Sequence, residues 1–141
     1  VNHIKTAYVF HCEEDWEFYD YGFIEKSLEI LEKDPLVVTV YLRSFSEYFN
    51  RYNVRLDAVE KDGYYYIEQH NGTFGTLTFN PGLRTIEIAK EYMPYTGWQD
   101  EGTIAKKFQE RGLHGAATNN SHGYVRHIGW ERHVNGSQYI N

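Results

Sequence analysis

The feature that most constrains the fold is the run 36–42, which consists almost entirely of apolar and β-branched residues. A continuous run of this kind is typical of a strand that is buried on both faces. Just before it, residues 22–33 place Ile24, Leu28 and Leu31 at the spacing of an amphipathic helix, which the following Asp-Pro pair ends. A doubly buried strand beside such a helix predicts the α/β class, with a mixed central sheet flanked by helices.

The rest of the chain alternates between strand-like and helix-like patterns. An Asn-Gly pair at 71–72 is typical of a hairpin turn, so we expect the strands on either side of it to pair. Gly112 follows a helical pattern at the position of a C-cap. His114 and His122 lie in sequence rich in Gly, Asn and Ser, which predicts a surface loop for both. The predicted strands are 4–11, 64–68, 73–79 and 124–128, and the predicted helices are 46–52, 83–92 and 99–111.

Length and charge limit the partners that this chain can have. Its 141 residues fit one domain, and no apolar run reaches the ~18 residues of a membrane-spanning helix. The 14 basic and 20 acidic side chains leave a net charge of −6, which disfavours nucleic acid because phosphate binding needs clustered Lys and Arg. The single cysteine, Cys12, excludes an internal disulfide, and no signal-peptide pattern opens the chain. We therefore expect one cytoplasmic domain with no membrane span and no nucleic-acid partner.

The densest group of polar side chains follows the first predicted strand, in the sequence His-Cys-Glu-Glu-Asp-Trp-Glu-Phe at 11–18. If the strand continues here, Glu13 and Asp15 point to one face and Glu14 to the other. Two carboxylates on one face repel each other unless a cation lies between them, and Mg²⁺ or Mn²⁺ prefers such oxygen ligands. The plainer interpretation is a solvated acidic turn before the helix. The aromatic ring of Trp16 beside the acids favours a binding site instead.

A second acidic group, Asp100 and Glu101, lies at the predicted start of a helix, just after Trp98. The helix dipole favours acids there by roughly 0.3–1 kcal/mol each, which is a sufficient structural reason for their presence. The functional alternative is a carboxylate directed into a cleft as a general base, with Trp98 as a stacking surface for a sugar.

Three further positions have more than one interpretation. His127 lies in a predicted strand, where a lone histidine is more often a hydrogen-bonded core residue than a ligand. It could share a metal ion with His133, although a separation of six residues is no recognised zinc spacing. Asn80 precedes a proline, and it either binds a ligand hydroxyl or caps a helix.

Several short sequences occur in an order that is similar to that of a known family. They are His11-Cys12-Glu13-Glu14-Asp15-Trp16-Glu17-Phe18, Gly22-Phe23-Ile24-Glu25-Lys26-Ser27-Leu28, Val37 to Arg43, Phe79-Asn80-Pro81-Gly82-Leu83, Asp100-Glu101 and His127-Ile128-Gly129. In this order they resemble the C-terminal portion of a family-2-like glycosyltransferase with the A-type fold, over roughly residues 8–133. The family's nucleotide-binding strands precede the acidic block, so the resemblance implies a single glycosyltransferase-like domain, residues 1–141, without those strands.

The resemblance also implies an activity and a site. The activity is transfer of a sugar from a nucleotide-diphosphate sugar, with a UDP-sugar favoured, to a hydroxyl of a glycan or another acceptor. The cofactor is Mn²⁺ or Mg²⁺, bound by Asp15 as the more direct ligand and by Glu13, with His127 completing the set. The general base is Glu101 or Asp100. The side chains expected to contact substrate are Glu14, Trp16, Asn80, Trp98 and His133.

Two other functions stay open at the level of sequence. The main alternative is a non-catalytic module that keeps the fold and binds a nucleotide-sugar or a glycan. A weaker one is a glycoside hydrolase, which needs two carboxylates roughly 5–9.5 Å apart across a sugar. Glu13 or Asp15 would pair with Glu101 in that case. Binding without turnover separates the first alternative from a transferase, and hydrolysis that persists in a chelator separates the second.

Overall fold

The computed structural model describes residues 5–44, 56–69, 75–93 and 100–129. These residues form both strands and helices, with a six-stranded mixed sheet among them, so the α/β class is confirmed. In chain order the elements are β1 Tyr8–His11, β2 Trp16–Phe18, α1 Phe23–Lys33, β3 Val37–Tyr41, β4 Leu56–Glu60, β5 Tyr64–Gln69, β6 Gly82–Thr85, α2 Ile86–Tyr92, α3 Glu101–Glu110, β7 His114–Thr118 and β8 Val125–His127.

Most of the strands belong to one mixed sheet. Six of them lie in the order β1-β6-β3-β7-β5-β4. Only β3 and β7 are parallel neighbours in this sheet as far as the structure describes it, and the other neighbours are antiparallel. Every residue of β3 is buried, as its apolar sequence predicts. The core therefore lies along β3, between elements from both halves of the chain.

Helices cover both faces of this sheet. Val40 of β3 packs in a cluster with Ile30 of α1, whereas Val38 packs in a second cluster with Ile104 of α3. Alternate strand residues normally share a face, but a register shift against β7 in the first half of β3 sends these two to opposite faces. The sheet is therefore enclosed between α1 and α3.

A second, two-stranded sheet positions the acidic block. β2 and β8 pair antiparallel, with Trp16 opposite His127. The Tyr124 N–H donates to the Leu42 carbonyl at 2.8 Å, which joins this small sheet to the segment that follows β3. The acidic residues between β1 and β2 are not part of a strand, and 14–15 form a turn. The condition on which Glu13 and Asp15 would share a strand face is therefore not met, and the acids lie on a connection between the two sheets.

Two predicted elements are wrong in part. Residues 82–85 form β6, and the helix begins only after Thr85, whose side chain caps it. Asn80 therefore caps no helix. Residues 75–79 of the expected strand 73–79 are turns and irregular backbone. β5 pairs instead with β7 and, across a turn that contains Gly63 at φ 87°, with β4.

The sequence patterns do not predict β4 or β7. His114, expected in a surface loop, is the first residue of β7, and its ring stacks on Tyr66 at 4.2 Å between centroids. His122 is exposed in a turn, as expected. The predicted helix 46–52 and the Asn-Gly turn at 71–72 lie outside the described residues. No helix in the described ranges has the length and apolar character needed to cross a bilayer.

Candidate functional site

The centre of the candidate site is a contact between the acidic turn and the end of β8. The His127 Nε2 atom lies 2.9 Å from Asp15 Oδ2, a hydrogen-bond distance, and the two residues are 112 positions apart in sequence. The Ile128 N–H donates to the Asp15 carbonyl at 2.8 Å, which fixes the main chain on both sides of this contact. The pairing of β2 with β8 therefore brings together two of the three predicted metal ligands.

Gly129 leaves the space in which this pair sits. A Cβ atom at this position would lie 2.8 Å from Asp15 Oδ2 and 2.9 Å from His127 Cε1, distances that side chains essentially never show. Trp16 closes the other side: its ring meets the His127 ring edge-on, with 4.9 Å between centroids. Only 8% of Trp16 is exposed, so the ring supports His127 from the core and presents little surface to a sugar.

Glu13 lies within electrostatic reach of both residues. Its pKa is raised, first by desolvation and then by the negative charge of Asp15, while His127 acts in the opposite direction. Glu14 is exposed in the turn. The acidic turn thus concentrates negative charge beside Asp15, as two carboxylates without a cation between them would.

Glu101 directs a second carboxylate toward the same region. Its Oε2 atom accepts a hydrogen bond from the Phe79 N–H at 2.8 Å. Burial raises its pKa, the Phe79 hydrogen bond opposes this, and the charge of Glu13 adds to the increase. Glu13 and Glu101 are far apart in the sequence, but the charge of Glu13 contributes to the raised pKa of Glu101.

Asp100 has a structural role that its neighbour lacks. Its Oδ1 atom accepts from the Thr103 N–H at 2.7 Å and its Oδ2 atom from the Thr103 hydroxyl at 3.2 Å, which is the geometry of an N-cap. These bonds to Thr103 lower the pKa of Asp100. Of the two candidates for a base, Glu101 is the one whose pKa is raised by a charge of the acidic turn, that of Glu13.

Two polar residues near this region, Arg84 and His11, have no role in the sequence prediction. The charge of Arg84 affects the pKa of Glu101 and that of His11. Arg84 of β6 is fully buried, and His11 of β1 has its pKa lowered to about 4 by burial and by the charge of Arg84. Arg84 escapes prediction because residues 83–92 have the pattern of a helix, in which its guanidinium would be exposed. The available signal is an arginine within the short run Leu83 to Ile86. A charged residue in such a run is fully buried only when other groups pair with it, so a buried arginine there would indicate a structural or functional role.

The described residues fit a cation in part. Within the described ranges, no three His, Cys, Asp or Glu side chains are arranged to hold a metal ion. The predicted ligands Asp15, Glu13 and His127 therefore lie in one region but are not arranged around a common metal position. Asp15 and His127 instead contact each other directly. The Asp15 Oδ1 atom is buried and has no hydrogen-bond partner in the described part of the chain. An imidazole and one or two carboxylates are donors that Mn²⁺ accepts.

Three predicted substrate contacts remain to be placed. Asn80 is half-buried, and its N–H donates to the Thr78 hydroxyl at 2.9 Å, next to the Phe79 amide that holds Glu101. Trp98 and His133 lie outside the described residues.

Comparison of the chain with protein-family models, with curated proteins and with solved structures found no match.

Proposed function

We propose that this chain transfers a sugar from a nucleotide-diphosphate sugar, with a UDP-sugar favoured, to an acceptor hydroxyl in a metal-dependent reaction. We propose further that its sheet corresponds to the metal- and acceptor-binding half of an A-type glycosyltransferase fold. The observation that carries the proposal is the contact between Asp15 and His127, which come from distant parts of the chain. The charge of Glu13, two residues before Asp15, helps to raise the pKa of Glu101, which supports placing the base in the same region.

Asp15 and His127 are the residues that would hold the cation, with Glu13 next to them. A divalent cation bound there would neutralise the charge that develops on the departing diphosphate. Gly129 supports this role because a side chain in its place would displace both ligands. The buried, unpartnered Oδ1 atom of Asp15 supplies a further coordinating lone pair.

Glu101 is the residue that would accept the proton of the acceptor hydroxyl. Burial raises its pKa toward the pH at which a carboxylate is an effective general base. The Phe79 N–H fixes the orientation of the carboxylate. In the reaction, the acceptor oxygen bonds to the anomeric carbon, the bond from that carbon to the diphosphate oxygen breaks, and the proton moves to Glu101.

A turnover assay tests the proposal. UDP release from a panel of UDP-sugars, with Mn²⁺ and simple glycan acceptors, is measured for the wild type and for Asp15→Asn and Glu101→Gln. Glu101→Gln is expected to lower kcat by ~10²–10⁴, the range that a general base contributes. Glu17→Gln is the matched control, because Glu17 lies two residues after Asp15 and pairs with Arg126 instead. Turnover that is unaffected by Asp15→Asn would contradict the proposal.

One observation favours the second candidate, a non-catalytic module that binds a nucleotide-sugar or a glycan. Asp15 and His127 contact each other directly, and a stable contact of this kind would keep both from a cation. For such a module, UDP or a glycan binds but no UDP-sugar is consumed, and Glu101→Gln leaves binding unchanged.

A further inference from the structure

A single peptide group connects Arg84 with Glu101. The Nη2 atom of Arg84 donates to the Thr78 carbonyl at 3.1 Å. The N–H of the same peptide unit, which belongs to Phe79, donates to Glu101 Oε2 at 2.8 Å. Because the peptide unit is planar and rigid, the two hydrogen bonds fix each other's direction. Each bond also polarises the other, since hydrogen bonds in series strengthen one another inside a protein.

The position of Arg84 is itself closely fixed. Its side chain is completely buried in β6, between β1 and β3. Its Nη1 atom donates to the Tyr92 hydroxyl at 2.6 Å, so Tyr92 of α2 holds one nitrogen of the guanidinium and the Thr78 carbonyl holds the other terminal nitrogen. A buried charge is costly unless other groups compensate it, and the negative charge of Glu101 is within electrostatic reach.

We propose that Arg84 is a positioning residue for Glu101 and acts through the Thr78–Phe79 peptide, with Tyr92 orienting the guanidinium. This inference rests on the proposed function in so far as Glu101 is the base. The hydrogen-bonded chain itself does not depend on any activity. It predicts that a change at Tyr92, whose hydroxyl bonds Arg84, is transmitted to the carboxylate of Glu101.

The backbone amide of Phe79 is the probe for this chain of hydrogen bonds. Its proton resonance and its hydrogen-exchange rate are measured by NMR in the wild type, in Glu101→Gln, in Tyr92→Phe and in Arg84→Lys. Tyr92→Phe removes the phenol oxygen and keeps the ring. Arg84→Lys keeps the charge but has one nitrogen in place of the guanidinium fork. Tyr64→Phe is the matched control, because it also removes a tyrosine hydroxyl bond, to Asp34.

The expected result is an upfield shift of the Phe79 amide proton in Glu101→Gln, and smaller shifts in the same direction in Tyr92→Phe and Arg84→Lys. Exchange of this proton is expected to quicken in Tyr92→Phe by up to about fivefold, the factor for complete loss of one net hydrogen bond. Tyr64→Phe leaves both quantities unchanged. If Phe79 responds to Glu101→Gln but not to Tyr92→Phe or Arg84→Lys, the positioning role is overturned.

Turnover adds a readout that separates this proposal from the proposed function. Where a UDP-sugar is consumed, Tyr92→Phe is expected to lower kcat with little change in KM for the donor, since Arg84 touches no substrate in this account. Where no UDP-sugar is consumed, the proposed function fails while the Phe79 measurement still decides whether Arg84 positions Glu101.

Discussion

Substitution of Gly129 by alanine tests the geometry of the Asp15–His127 pair. The new Cβ atom would lie 2.8 Å from Asp15 Oδ2 and 2.9 Å from His127 Cε1. To reach an ordinary contact distance of ~3.5 Å, the carboxylate must move by about 0.7 Å. Added to the 2.9 Å between His127 Nε2 and Asp15 Oδ2, a movement of this size reaches the ~3.6 Å at which a hydrogen bond is lost, so we expect the bond to be broken.

The expected cost is about 1–2 kcal/mol in the free energy of unfolding, within the usual range for an overpacked site. Urea denaturation measures it, and calorimetry with Mn²⁺ and UDP measures the loss of binding. Gly82→Ala is the control, because its Cβ would be crowded to 2.8 Å by the Val40 carbonyl and touches neither Asp15 nor His127. We expect Gly82→Ala to lose stability and to keep Mn²⁺-dependent binding. Unchanged stability and unchanged binding in Gly129→Ala would contradict the close approach of Gly129 to Asp15 and His127.

Three further predictions concern titration and capping. Burial alone would raise the pKa of Asp34, but hydrogen bonds from Tyr64 and Tyr66 lower it below its ordinary value. Its contribution to stability is therefore complete above about pH 4 and is lost as the pH falls further. Tyr64→Phe is expected to reduce this loss of stability at acid pH in urea titrations. His11, with its pKa lowered to about 4 from 6.5, is protonated more readily in the unfolded chain, so stability falls as the pH drops from 6.5 toward 4, and His11→Asn is expected to reduce that slope. Asp100→Ala is expected to lower the melting temperature through loss of the helix cap, with no change in UDP binding.

The parts of the fold that depend on local pattern could be predicted. The helix α1 and the strand β3 follow from apolar spacing within a few residues, and the structure confirms both. The strand β7 could not be predicted because its residues are small for a reason that lies elsewhere in the fold. A Cβ atom on Gly115 would meet the Gly75 carbonyl at 2.3 Å and Tyr41 Cε2 at 2.5 Å. Contacts between distant segments, rather than strand propensity, determine this sequence.

The candidate site shows the same division. The sequence brings Asp15 and Glu13 together because they are neighbours, but only the pairing of β2 with β8 brings His127 to them. The choice between Asp100 and Glu101 depends on where α3 begins. The N-cap residue, here Asp100, uses its carboxylate to accept a hydrogen bond from a free N–H of the first helical turn, so this carboxylate is not available as a base. The burial of Arg84 could not be predicted because β6 has only four residues and is followed directly by a helix. Four residues are too few to show the alternation of a strand.

The most direct test of the proposed cation site is calorimetric titration of UDP into the protein in the presence of Mn²⁺. We expect binding that requires Mn²⁺, disappears in Asp15→Asn and persists in Glu17→Gln, whose side chain pairs with Arg126 outside the site. Absence of binding, or equal binding in Asp15→Asn and in the wild type, would contradict the claim that Asp15 and His127 form a cation and diphosphate site.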